Sequence, residues 1–224
     1  PLNSSRARIA LSQAIDRKLL IKAVLKSGTP ANRFTPKSMP GYPLRSDLAN
    51  PALVTLAEIE LDALRANGPL TMIVSNRDVS IDVAEALQNM WEAKLGIDVR
   101  IQNMEFRTFL TRLDEGDYDI GYIAWTGDYA HAYTFLDVLR SDGLHNRSRW
   151  KHSGYDNLLD KSLTQHDSKS RLETLYKAES LLMEEMPIIP ISWKTKDYFL
   201  SSRVQNWPAS LVLLRTYKGV HLQN

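Results

Sequence analysis

Leu70-Thr71-Met72-Ile73-Val74 is a short, apolar, β-branched run, and it opens the stretch that decides the fold. Ile81–Lys94 follows, with Val83, Ala84, Leu87, Met90 and Trp91 on one helical face and Gly96 to stop it. Through Ile97–Gln102 the residues Ile97, Val99 and Ile101 alternate with polar ones, the period of a strand. Phe106–Leu113 returns to helical spacing and ends near Gly116. Tyr118–Trp125 is a nearly continuous apolar run, as a buried strand would be. Strand, helix, strand, helix, strand with such short connections predicts βαβ units and a parallel sheet. The expected class is α/β, a mostly parallel sheet flanked by helices.

Before this stretch, Ile9, Leu11, Ile15, Leu19, Leu20, Ala23 and Val24 predict one helix over Arg6–Leu25, capped by Ser4 or Ser5 and stopped by Gly28-Thr29-Pro30. Residues 28–52 hold five prolines and two glycines and no apolar period. They read as a long irregular loop, functional or wrapped on the surface. Leu53–Ala66 reads as a helix closed by Asn67-Gly68. After the central stretch come a helix at Tyr133–Leu139, a polar loop at His145–Ser153, and helices near Tyr155–Leu163 and Lys169–Met186. Ile188–Trp193 and Tyr198–Ser201 read as strands, and short strands and turns follow Val204.

The composition closes off several classes of function. With 224 residues, 43% hydrophobic, the chain can bury a real core. A formal net charge of +2, with acids and bases interspersed, argues against nucleic acid or an anionic membrane as the main partner. The chain has no cysteine, which rules out disulfides, thiolate metal sites and a cysteine nucleophile. No apolar run reaches the ~18 residues of a membrane span. Pro1-Leu2-Asn3-Ser4-Ser5 is neither a signal peptide nor an initiator-methionine start, so the chain is expected to be a piece of a longer protein.

Ligands of an open parallel sheet bind beyond the carboxyl ends of its strands. The run Tyr118–Trp125 leads there directly into Thr126-Gly127-Asp128-Tyr129. Gly127 lets the backbone approach a ligand closely. Asp128 brings a negative charge, and Trp125 and Tyr129 bring flat apolar walls. A carboxylate framed by aromatics suits an ammonium group. An alternative is that Asp128 caps the following helix.

Other candidates are thinner. His131, His145, His152, His166 and His221 are scattered without an HxxxH or HExxH pair, and Asp128 with His131 makes only two possible metal ligands. Ser148-Arg149-Trp150-Lys151 has the S-x-x-K spacing of a nucleophile motif without its companion elements. A hydrolase built on Ser148 and Lys151, or on a His–Asp pair, is the enzymatic alternative. A lobe that has lost its ligand and serves only as an interaction module is the third. Asp114, Glu115, Asp117 and Asp119 cluster around Gly116, where a solvated helix-to-strand turn is expected. No catalytic residue, metal or cofactor is expected.

Several ordered segments resemble one family. Ala10-Leu11-Ser12-Gln13-Ala14-Ile15-Asp16-Arg17, Gly28-Thr29-Pro30-Ala31 and Met39-Pro40-Gly41-Tyr42 are similar to the opening helix and loop of peptide- and nickel-type solute-binding proteins. This is the oligopeptide- and dipeptide-binding family. Leu95-Gly96-Ile97-Asp98-Val99, Gly116-Asp117-Tyr118-Asp119-Ile120, Trp125-Thr126-Gly127-Asp128-Tyr129, Ala178-Glu179 and Pro187-Ile188-Ile189-Pro190 follow in the family's order. The resemblance implies a periplasmic-binding-protein-like fold of two α/β lobes closing on a ligand. Residues 1–203 would be the second lobe, and 204–224 a segment returning toward a first lobe that is absent here.

By the same resemblance Asp128 holds a ligand ammonium, Trp125 and Thr126 line the pocket, and Phe106 stands at another aromatic position of the groove; Gly127 and Tyr129 join them as expected ligand-binding residues from the reading above. Departures are His131-Ala132 after the aspartate, and Leu113 and Tyr122 where arginines can stand. Arg107 or Arg112 could then hold a ligand carboxylate. The implied partners are a peptide or related small solute, the missing lobe, and an ABC importer's membrane permease, in a periplasmic or cell-surface setting. If the first lobe is absent, Trp125, Tyr129 and Phe106 should be exposed, and residues after Val204 should pack loosely.

Overall fold

The computed structural model describes residues 2–42, 58–66, 68–195, 198–208, 210 and 217–223. At its centre β2 (Leu70–Ser75) lies between two parallel neighbours, β3 (Val99–Met104) and β4 (Ile120–Gly121). Leu70 is opposite Val99, Ser75 opposite Met104, and Met72 opposite Ile120. Helices α4 (Asp78–Leu95) and α5 (Phe106–Glu115) make the two crossovers. Alternation along β2 sends Leu70, Met72 and Val74 into a core with Val83, Leu87 and Trp91 of α4. Ile73 points the other way, onto Phe109 and Leu113 of α5. Both faces of β2 are covered, which is why Met72, Ile73 and Val74 run on without a polar break.

The strand expected over Tyr118–Trp125 pairs only at Ile120–Gly121. The Asp119 and Tyr122 amides extend the link by donating to the Thr71 and Ile73 carbonyls, and the Thr71 amide donates back to the Asp119 carboxylate at 2.8 Å. Beyond Tyr122 the chain leaves the sheet, and Ile123 and Ala124 are exposed. Their apolar character belongs to a surface wall and not to a buried ladder.

The helix expected over Arg6–Leu25 is broken. α1 (Ser5–Ala14) ends at an extended Ile15, and α2 (Arg17–Leu20) begins under a fresh cap, the Asp16 carboxylate accepting from the Leu19 amide at 2.9 Å. A π-helical turn over Ile21–Leu25 then closes on a left-handed Lys26. Arg17 seals the break by donating to the Pro190 carbonyl at 2.8 Å and to the Ser12 carbonyl and hydroxyl. Asp16→Ala is expected to cost about 0.5–2 kcal/mol, read as a lower denaturant midpoint. An unchanged midpoint would show that Arg17 alone holds the bend.

α1 is tied to the sheet layer by α4, since the Trp91 indole donates to the Leu11 carbonyl at 2.9 Å and Lys94 to that of Ala14 at 2.7 Å. A second core joins α6 (Tyr133–Leu136), α7 (Ser153–Thr164) and α8 (Ser168–Glu185) through Leu136, Tyr155, Leu159, Leu175 and Leu182. The sequence placed α7 and α8 within a few residues of these bounds. The described half of the loop after Gly28 is pinned: Met39 and Tyr42 join this second core, and the amide of buried Thr35 donates to the Glu179 carboxylate at 2.6 Å. Of the helix expected over Leu53–Ala66, Glu58–Ala66 is described as α3, and the remainder lies outside the described residues.

The late strands are shorter than expected. Within Ile188–Trp193 only Ser192–Trp193 (β5) is a strand, antiparallel to Thr29–Pro30 (β1). Tyr198–Ser201 is no strand, and Tyr198, Phe199 and Leu200 are exposed. In the tail Val204–Gln205 (β6) and His221–Leu222 (β7) pair with each other and not with the central sheet.

Candidate functional site

The carboxyl ends of the three parallel strands share one edge, and the chain leaving each carries a candidate. β2 leads to Arg77, β3 to Phe106, and β4 to Tyr122–Asp128. Phe106, 40% exposed, lies under the Arg77 guanidinium at 4.8 Å and beside Phe109. Glu105 caps α5 by accepting from the Arg107 and Thr108 amides, and those bonds draw its carboxyl below its ordinary range.

Trp125 is half-buried. Its indole donates to the Thr134 carbonyl at 3.2 Å, and its ring meets His145 at 5.2 Å. Gly127 is buried against α6. A Cβ there would stand 2.8 Å from Thr134 Cγ2 and 2.9 Å from the Phe135 ring, so the backbone is seated where no side chain fits. Gly127→Ala is expected to cost about 1–3 kcal/mol through overpacking and to lower the thermal midpoint. An unshifted midpoint would show that Phe135 gives way freely.

Asp128 is exposed. Its amide donates to the Thr134 hydroxyl at 3.1 Å, but among the described residues its carboxylate has no hydrogen bond or ion pair. It caps no helix: the N-cap position of α6 is Ala132, with no side-chain cap, and the Tyr133 amide is taken by His131 Nδ1. Tyr129 is 49% exposed, and burial, then the Asp137 and Asp128 charges, raise its phenol. Tyr133 is pushed up to about 12 by burial and Asp137. Burial, with Arg171 nearby, lowers His131. The exposure expected at the edge is therefore found at Phe106 and Tyr129 and only in part at Trp125.

Trp125, Thr126 and Gly127 line a cleft of about 1430 Å³, walled also by Tyr118–Ala124, Arg147–His152, Phe34, Pro36, Lys37 and Pro187–Lys194. Asp128, Tyr129 and Phe106 are not in its lining. Leu113, where an arginine could stand, is buried, and Tyr122 lines the cleft with its phenol raised by burial. Neither Arg107 nor Arg112 reaches the lining, and Arg112 pairs with Asp117 at 2.9 Å.

The acidic cluster is answered by arginines and is not simply solvated. Arg147 pairs with Asp114 at 2.8 Å, and Arg149, at a left-handed φ of 55°, donates to the carbonyls of Asp114 and Glu115 at the carboxyl end of α5. A cation belongs at such a helix end. The periodicity of the polar loop gave no sign of this clamp. Ser148 donates to the Asn146 side-chain oxygen at 2.7 Å, an acceptor that cannot serve as a base. No group of three or more potential ligands for a metal occurs among the described residues.

The model of the bacterial extracellular solute-binding proteins, family 5 (middle region), matches residues 1–146. The chain is 32% identical over 218 residues to the periplasmic murein peptide-binding protein MppA of Escherichia coli, covering 93% of this chain and 40% of that one. It is 30% identical over 207 residues to the oligopeptide-binding protein OppA of Bacillus subtilis, covering 87% of this chain and 38% of that one. The chain thus spans about 40% of the length of these curated relatives. A solved structure of MppA in its unliganded open form superposes with a TM-score of 0.77 at 30% identity, over 90% of this chain and 41% of that one.

Proposed function

This chain belongs to the bacterial extracellular solute-binding proteins of family 5, and on that footing we propose that it is the second lobe of a protein that captures peptides, or a related small solute, for an ABC importer. In this reading residues 1–203 form the lobe and 204–224 return toward the first lobe. The protein works outside the cytoplasm and hands its closed, loaded form to a membrane permease. It is a capture protein and not an enzyme. Among the described residues no helix is long and apolar enough to cross a membrane.

The observation that carries the reading is the carboxylate of Asp128, exposed and unpaired among the described residues, which directly follows Trp125-Thr126-Gly127 of a large cleft's wall and stands just outside the lining. Ligand touching both lobes favours the closed state over the open one, so capture is a population shift. Mass spectrometry of what co-purifies with the full-length protein tests it. Peptides recovered in stoichiometric amount support the proposal, and a protein that holds none and binds none by calorimetry would overturn it.

A further inference from the structure

The cleft is strongly biased in charge, although the whole chain carries only +2. Seven arginines and lysines line it, against the two carboxylates of Asp119 and Glu185. Both acids are occupied: Asp119 accepts from the Thr71 amide, and Glu185 stands 3.7 Å from Arg8. The bases are not all occupied. Lys37, Lys151 and Lys194 reach the cleft from three separate segments, and none has a carboxylate partner among the described residues. Lys37 sits 5.2 Å from the centre of the Trp193 ring, which holds its ammonium at the wall. The Trp193 indole N–H beside it is buried and, among the described residues, has no acceptor.

We infer that this cleft selects anionic peptides, those bearing a side-chain carboxylate beyond the terminal one. The inference rests on the peptide-capture reading and names its substrate class. Asp128, just outside the lining, takes the ammonium, and the three lysines form the carboxylate side of the cleft. Clefts lined by one sign of charge concentrate ligands of the other.

The test is calorimetry on the full-length, two-lobed protein with Ala-Glu-Ala, Ala-Gln-Ala and Ala-Lys-Ala at low and high salt. The glutamate peptide should bind about fivefold more tightly than the glutamine peptide, the range for an exposed charge pair. The lysine peptide should bind most weakly, and salt should compress the series. In the triple variant Lys37→Gln, Lys151→Gln, Lys194→Gln the order should collapse toward equal affinities. Equal binding by the unaltered protein, or a preference that survives the triple variant, overturns the inference and leaves peptide capture standing. Failure of all three peptides to bind overturns both.

Discussion

With Glu179 replaced by alanine, the protein is expected to lose about 3–5 kcal/mol of unfolding free energy, the range for stripping one partner from a buried charged network. Glu179 has no exposed surface, and its carboxylate accepts from the Tyr42 hydroxyl at 2.8 Å and from the Thr35 amide at 2.6 Å. Arg33, itself buried, faces it and lies over the Tyr42 ring at 5.3 Å. The alanine would strand those donors without water to replace the lost acceptor. Because Thr35 and Tyr42 belong to the proline-rich loop and Glu179 to α8, that loop should loosen first. Hydrogen exchange over 31–42 reads this directly, and protection equal to the parent's would show that Met39 and Tyr42 hold by apolar contact alone.

Glu179→Gln separates charge from shape. Burial raises the Glu179 carboxyl, while the bonds from Thr35 and Tyr42 and the charge of Arg33 oppose the rise. A carboxyl raised in the folded state favours folding most below its unfolded pKa, and that contribution is lost as pH rises through the folded value. The stability difference between parent and Glu179→Gln should therefore move in the parent's favour as pH falls from neutral toward the ordinary carboxylate range. Movement the other way would show that Arg33 outweighs burial.

What could be read in advance followed from short-range pattern. The order of β2, α4, β3 and α5 was legible because a change of apolar period marks each boundary, and Gly96 and Gly116 end the helices in left-handed turns. The break at Asp16 was hidden because Ile15, Leu19 and Leu20 stay in helical phase across it. β4 was overread because Ile123 and Ala124 are apolar for a wall that this chain leaves open. The site divides in the same way. Trp125–Asp128 could be placed beyond the carboxyl edge of the sheet because an apolar run leads into it from β4. His145, Trp193 and Lys37 reach that cleft from other segments, and no local pattern announces such meetings. Glu179 is the extreme case, bonded to residues 137 and 144 positions away.

Asp128→Asn in the full-length protein should weaken a peptide with a free α-amino group by about 2–5 kcal/mol, the range for losing one member of a buried charge pair. The substitution keeps the size and removes the charge. In this chain the carboxylate is exposed and, among the described residues, without a partner, so no described residue competes for an incoming ammonium. Closure would exclude water, and a pair that is weak in solvent strengthens as the surrounding dielectric falls. Gly127 and the Thr134 hydroxyl hold the backbone at this point, so the asparagine should be presented in the same place. An N-acetylated peptide has no ammonium to lose, and its weaker binding should be nearly the same on both proteins. Calorimetry with the two peptides on the two proteins gives the coupling directly. Equal losses for free and acetylated peptides would mean that Asp128 does not read the amino terminus, and the ammonium would have to be held elsewhere in the full-length protein.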